Sequence, residues 1–233
     1  MAIVAAIAIF MNSLILSQIM KKTFDLSLYL VTDRSLSLGR SIFEIVEKAV
    51  AGGVTMVQLR EKNCTTKEFI ELAVAIKEIT APKNIPLIIN DRVDVALAAE
   101  ADGVHVGQSD MSCHLVRKLM GKEAIIGLSI ENEAQAKECA DWDIDYIGIS
   151  PVFSTPTKTD TAPPLGLEGI QRIRTLCPHR IVGIGGINQS NLDEVIRAGS
   201  EGVALVSAIC SAPDITFASH QLKQQLEKVK NQS

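Results

Sequence analysis

The chain has 233 residues and a formal net charge of −4; 47% of it is hydrophobic but only 4% aromatic. That length suits one large α/β domain, and a mildly acidic chain without a Lys/Arg run excludes a basic nucleic-acid-binding face. The five cysteines, Cys64, Cys113, Cys139, Cys177 and Cys210, are scattered without a CxxC pair. This argues for reduced thiols in a cytoplasmic protein and against a zinc site.

The first segment stands apart. Residues 1–20 are apolar except for Asn12, Ser13, Ser17 and Gln18, close to the roughly 20 residues that span a bilayer. No Lys or Arg precedes the run, as a secretory signal requires. Met20 is followed directly by Lys21 and Lys22, and then by sequence of another character. We read 1–22 as an apolar extension and 23–233 as the domain, with Met20 as the expected start and 1–19 dispensable. A membrane anchor and a docked helix are the alternatives. A native peptide containing Ala2–Phe10 would count against Met20.

From there, short β-branched runs alternate with helical patterns. Strands are expected at Leu28–Thr32, Met56–Arg60, Pro86–Asn90, Gly103–Val106, Ile125–Ser129, Tyr146–Ile149, Ile181–Gly185 and Gly202–Val206. Most are continuous apolar runs, as in strands buried on both faces. Between them, Ile42, Ile45, Val46 and Ala49 form a helical stripe, as do Phe69, Leu72, Ala73 and Ile76, and later Leu192, Val195, Ile196 and Gly199. A more polar helix carries Ala134, Lys137 and Glu138. The glycines of Ala51-Gly52-Gly53, Ala101-Asp102-Gly103 and Ala198–Gly202 read as left-handed helix stops. Repeated β/α units predict a single eight-stranded parallel (β/α)8 barrel, a TIM barrel. The rival is an open doubly wound sheet, which usually has a Gly-rich loop after its first strand; here that strand ends Val31-Thr32-Asp33-Arg34.

Barrel enzymes place their chemistry at the carboxyl ends of the strands, and those ends are strongly polar here. In Gln58-Leu59-Arg60-Glu61-Lys62, strand alternation puts Gln58, Arg60 and Lys62 on one face and Leu59 and Glu61 on the other. An anion would satisfy the three polar groups; the alternative is an internal ion pair of Arg60 with a carboxylate of a neighbouring strand. Asp91, after Asn90, and Asp110 end sequential strands and suit a magnesium ion bound by carboxylates and substrate phosphate. Either Asp alone could instead cap a helix. Gly185-Gly186 and Val206-Ser207 end the seventh and eighth strands, where many barrels bind phosphate through backbone N–H groups; the plainer reading is a tight turn. The Thr/Pro-rich stretch with Thr155, Thr157 and Lys158 reads as a lid-like loop, with an ordinary solvated loop as the alternative. The rim therefore offers two anion pockets, one for a diphosphate and one for a monophosphate.

The motifs YLVTD, VQLREK, IINDRVDVA, ADGVHVGQSDM, the TPTK loop, IGGI and VSAI, from about Leu28 to Asp214, resemble those of the thiamine-phosphate synthases. The resemblance implies condensation of 4-amino-5-hydroxymethyl-2-methylpyrimidine diphosphate with a thiazole phosphate, or its carboxylated form, to thiamine phosphate and diphosphate, by a dissociative path. It implies that Gln58, Leu59, Arg60, Glu61, Lys62, Asn90, Ser129 and Lys158 contact the pyrimidine diphosphate. Asp91 and Asp110 would bind Mg2+, and Thr155, Thr157, Gly185, Gly186, Val206 and Ser207 would hold the thiazole phosphate. Arg60, Lys62 and Lys158 would stabilise the leaving diphosphate. His105 reads as a barrel-interior hydrogen bonder rather than a base. The run after Ser129, Ile130-Glu131, departs from relatives, which often carry Thr or His there. The rivals are a thiazole tautomerase-like isomerase, a non-catalytic ligand-sensing relative, and another phosphate-binding barrel enzyme. A homo-oligomer is compatible with the sequence.

Overall fold

Buried β-branched runs without alternation can pair on both edges and be covered on both faces, and the strands form where those runs lie. A computed structural model describes residues 23–155 and 163–232. Its strands are β1 (Leu28–Val31), β2 (Met56–Leu59), β3 (Leu87–Asn90), β4 (Gly103–Val106), β5 (Ile125–Ile130), β6 (Tyr146–Ile149), β7 (Arg180–Ile184) and β8 (Gly202–Leu205). Helices α1 (Ile42–Ala51), α2 (Thr66–Thr80), α3 (Val93–Ala98), α4 (Cys113–Met120), α5 (Glu133–Glu138), α6 (Gly166–Leu176) and α7 (Leu192–Arg197) separate them. After β8 come α8 (Ser207–Cys210) and α9 (Ile215–Lys230). Side-chain caps start several helices: Ser41 accepts from the Glu44 N–H, and Thr65 and Glu68 form a reciprocal capping box.

Every neighbouring strand pair described is parallel, and β1 closes on β8 through Leu28↔Val203 and Tyr29↔Ala204. The closed barrel excludes the open doubly wound sheet. Strand alternation sorts the core into two clusters. Leu28, Leu30, Val57, Leu59, Leu87 and Ile89 belong to the cluster shared with the helices. Tyr29, Met56, Ile88, Ile125, Tyr146, Val182 and Ala204 form the cluster inside the barrel.

The amino end of the barrel is plugged. Phe24 meets Tyr146 edge-on at 6.2 Å, and the Arg180 guanidinium lies 4.6 Å from the Phe24 ring centroid while its Nε donates to Glu201. The free end of the interior is the carboxyl rim.

The glycine expectation needs correction in part. Gly53 and Gly199 are left-handed, at φ +101° and +110°. Gly52, however, is right-handed at φ −81°, and Gly103 and Gly202 open strands. There a Cβ would come within 1.9 Å of the Ile125 carbonyl oxygen and 1.8 Å of the Leu26 carbonyl oxygen, so close backbone approach requires them. Among the described residues, no helix is long and apolar enough to cross a membrane. Residues 1–22, on which the extension, anchor and docked-helix readings rest, lie outside the described residues.

Candidate active site

A cavity of about 980 Å³ opens at the carboxyl ends of the strands. Alternation along β2 delivers three groups into it. Gln58, Arg60 and Lys62 line the cavity. Leu59 and Glu61, expected among the substrate contacts, do not present their side chains there: Leu59 is fully buried against the helices, and Glu61 accepts from Arg34 Nε at 3.1 Å and Nη2 at 3.0 Å. The internal pair weighed for Arg60 does form, with Nη1 2.8 Å from Asp33 Oδ2. Asp33 also caps the short 3-10 turn Arg34–Leu36 by accepting from Ser35 N. Two ion pairs of opposite polarity, Asp33–Arg60 and Arg34–Glu61, thus tie the β1 and β2 rims together while Arg60 still lines the cavity.

The β3 and β4 rims bring the two predicted metal carboxylates together. Asp91 sits at φ +61°, in the left-handed region that Asp tolerates better than most residues. Its N–H donates to the His105 carbonyl and the next N–H, of Arg92, donates back to Asn90 O at 2.7 Å, a tight turn that lifts the carboxylate onto the rim. Asp91 Oδ1 accepts from Asn90 Nδ2 at 2.5 Å, and Oδ2 pairs with Lys62 Nζ at 2.6 Å. Asp110 Oδ2 accepts from the Gly107 N–H at 2.7 Å. Neither carboxylate caps the following helix: α3 has Arg92 and α4 has Ser112 at the N-cap position. Burial raises the Asp110 carboxyl above the usual range, and the Asp91 charge beside it raises it further, against the Gly107 N–H, which lowers it. Two facing hard-oxygen carboxylates whose repulsion disfavours full ionisation fit a divalent cation shared with substrate oxygens. No group of three or more His, Cys, Asp or Glu residues converges among the described residues.

On the opposite rim, Gly185 and Gly186 are left-handed at φ +98° and +66°. A Cβ on Gly185 would lie 2.7 Å from Pro151 Cβ, and one on Gly186 2.7 Å from the Ser154 carbonyl oxygen. The tight-turn reading therefore holds, and the same turn lines the cavity beside Thr155, Val206 and Ser207. Ser207 opens the four-residue helix α8, whose Ile209 and Cys210 N–H groups donate to the Val206 carbonyl at 3.1 and 2.8 Å. Thr157 and Lys158 lie outside the described residues.

The floor carries the interior hydrogen bonding expected of His105 on to two tyrosines that the sequence reading did not single out. His105 is bonded on both ring nitrogens, to the Tyr146 hydroxyl at 3.0 Å and to Ser129 Oγ at 2.8 Å, as an interior hydrogen bonder. Burial pushes its pKa down to about 4, although the Asp110 charge acts in the other direction. Tyr29 joins Tyr146 at 2.8 Å and accepts from Gln58 Nε2 at 2.9 Å. The signal was available: a Tyr inside a buried strand must find a partner for its hydroxyl, and both tyrosines of the chain lie in such strands. Glu131, Ser150 and Asn188 also line the cavity without having been expected.

A closed parallel barrel, plugged at its amino end and polar at its carboxyl rim, defines a β/α-barrel enzyme. The model of the family described as thiamine monophosphate synthase matches residues 28–209. The thiamine-phosphate synthase of Syntrophomonas wolfei is 50% identical over 204 residues, covering 88% of this chain and 98% of that protein. That of Vibrio campbellii is 52% identical over 195 residues, covering 84% and 95%. Among solved structures, thiamine phosphate pyrophosphorylase from Pyrococcus furiosus superposes with a TM-score of 0.80 at 36% identity, covering 88% of this chain and 96% of that one. The orotidine 5'-phosphate decarboxylase from Pyrococcus horikoshii, at TM-score 0.62 and 14% identity, shares the fold alone. The chain belongs to the thiamine-phosphate synthase family. It is therefore a transferase acting on small molecules.

Proposed function

We propose that this protein joins an aminopyrimidine diphosphate to a thiazole phosphate, or its carboxylated form, with release of diphosphate. The observation that carries the reading is the juxtaposition of Asp91 and Asp110 with Lys62 and Arg60 on one rim of the cavity. An isomerase of the thiazole phosphate alone has no use for that set of charges.

Asp91 and Asp110 would hold Mg2+, which when bound supplies positive charge to diphosphate oxygens. Arg60, aimed by Asp33, and Lys62, aimed by Asp91, stabilise the negative charge that grows as diphosphate departs in a dissociative substitution. Lys158, which follows β6 in the sequence, would add a third cation. Asn90, Gln58 and Ser129 face the pyrimidine, while Thr155, Gly185-Gly186 and Val206-Ser207 seat the second phosphate. The thiazole nitrogen is itself the nucleophile, so no protein nucleophile is needed, and His105, occupied on both nitrogens, is not free to act as a base. The plugged amino end keeps water from reaching the reacting carbon from below.

The test is a diphosphate-release assay with each component omitted in turn. Release is expected only with both substrates and magnesium present. Turnover of the thiazole phosphate alone would favour the isomerase, and binding without turnover the ligand-sensing relative.

A further inference from the structure

Five side chains from five strands are joined end to end across the cavity floor. Gln58 Nε2 donates to the Tyr29 hydroxyl at 2.9 Å; the Tyr29 and Tyr146 hydroxyls are 2.8 Å apart; Tyr146 lies 3.0 Å from His105 Nδ1; His105 Nε2 lies 2.8 Å from Ser129 Oγ. One end sets the direction of the whole chain. An amide nitrogen only donates, so the Tyr29 oxygen accepts from Gln58. The Tyr29 proton then goes to Tyr146, and the Tyr146 proton to His105 Nδ1. A ring that accepts at Nδ1 carries its proton at Nε2, where it donates to Ser129. Reversing a link would make one tyrosine oxygen accept twice and leave its hydroxyl hydrogen without an acceptor among side chains that are nearly all buried: Tyr29 is 1%, Tyr146 0%, Gln58 5% and His105 8% exposed.

The backbone makes room for the chain at its middle. A Cβ on Gly127 would lie 2.2 Å from Tyr146 Cζ and 2.4 Å from His105 Nδ1, and one on Gly148 would lie 3.1 Å from His105 Cε1. Glycines on β5 and β6 therefore leave the space that the ring and the phenol fill.

We propose that His105 is a positioning residue which, by carrying its proton on Nε2, makes Ser129 a hydrogen donor to the cavity while Gln58 keeps its Oε1 as an acceptor, so that the floor selects an aminopyrimidine over its oxo counterpart. Ser129 accepts from His105 and has its own O–H left to give; Gln58 gives its amide hydrogen to Tyr29 and has its oxygen left to accept. Both side chains line the cavity. A ring with an amino donor and a bare ring nitrogen satisfies both. The oxo analogue sets its carbonyl oxygen against Gln58 Oε1, two acceptors face to face, a mismatch that a desolvated site punishes heavily. This inference rests on the pyrimidine reading of the cavity given above.

Two measurements on the full-length protein test it. Long-range proton–nitrogen NMR of protein labelled at its four histidines, with the His105 signals assigned through His105→Gln, reads the tautomer directly. The Nε2–H form is expected; an Nδ1–H or doubly protonated ring would overturn the proposal. Calorimetric binding of an aminopyrimidine diphosphate and of its oxo analogue then reads selectivity. The wild type should prefer the amino form by at least about 100-fold. Tyr146→Phe, which removes the donor to Nδ1, should cut that preference at least about tenfold while inorganic diphosphate binds as before. No preference in the wild type, or an unchanged preference in Tyr146→Phe, would contradict it. Because binding is read and not turnover, loss of the proposed reaction and loss of this selectivity show up as different results.

Discussion

Asp110 and Asp91 face each other, and Lys62 pairs with Asp91, so the Asp110 carboxylate is held where its charge is disfavoured until a cation arrives. Asp110→Asn should therefore raise the magnesium concentration for half-maximal rate by roughly 10- to 100-fold. In chelator, thermal denaturation should show the variant at least as stable as the wild type, because the repulsion with Asp91 is gone. A normal magnesium dependence in the variant would remove Asp110 from the metal site. His105 gives a second prediction at this scale. Its folded pKa is pushed down to about 4 by burial, whereas an unfolded histidine titrates near 6.5. The unfolded state thus binds a proton that the folded state refuses between those values. Stability attributable to His105 is constant above pH ~6.5 and falls by about 1.4 kcal/mol per pH unit on the way down to pH ~4. In urea titrations at pH 7 and pH 5, the wild type should lose about 2 kcal/mol more than His105→Gln does; equal losses would show that the ring is not held neutral. His105 was legible as an interior hydrogen bonder, but its tyrosine partners on the floor were the least legible residues of the site. Tyr29 and Tyr146 sit in runs whose apolar neighbours make them look like packing, and only the register of β1 against β6 through the closed barrel puts their hydroxyls in contact. Arg60 was legible as a polar group on the inner face, but its partner Asp33 lies 27 residues earlier in the chain; the internal pair weighed for it forms, and the side chain still lines the cavity where the anion is proposed to bind.

At the scale of elements, the turn after β7 carries two demands at once. Gly186 takes a left-handed backbone and leaves no room for a Cβ next to Phe153 and Ser154. Gly186→Ala should cost about 2–4 kcal/mol, combining the backbone penalty with overpacking. It should also raise the KM for the thiazole phosphate while leaving that for the pyrimidine diphosphate close to wild type. Urea denaturation and steady-state kinetics check the two halves separately, and an unshifted thiazole KM would remove this turn from the second phosphate pocket. The β/α alternation was plainly readable, because strands buried on both faces and striped helices obey different periods. The strand ends were readable to within a residue or two: Thr32, Arg60 and Val206 fall just past β1, β2 and β8. Helix α9 was not marked. Its buried face includes Ser219 among Ile215, Leu222, Leu226 and Val229, and no strand follows to frame it, yet it packs on α1 and α7.

For the whole molecule, closure of β1 on β8 and the Phe24–Arg180 plug are complete within the described residues. Deletion of residues 1–22 is expected to leave the melting temperature within about 2 °C of the full chain and the rate unchanged; a large loss would show that the extension packs on the barrel. The two rims differ because a closed barrel needs only packing and turns at its amino end and can gather chemistry from many strands at the other. The polar rim was legible as a list of residues, and strand order places the residues of the two proposed anion pockets on opposite sides of one cavity. The central claim is that both pockets act in one reaction, and phosphorus NMR of the purified protein with magnesium and equimolar substrates tests it most directly. The diphosphate ester signals are expected to give way to free diphosphate while the monophosphate signal is retained and shifts to that of thiamine phosphate. Free diphosphate without a new monophosphate species, or no change in either signal, would contradict it.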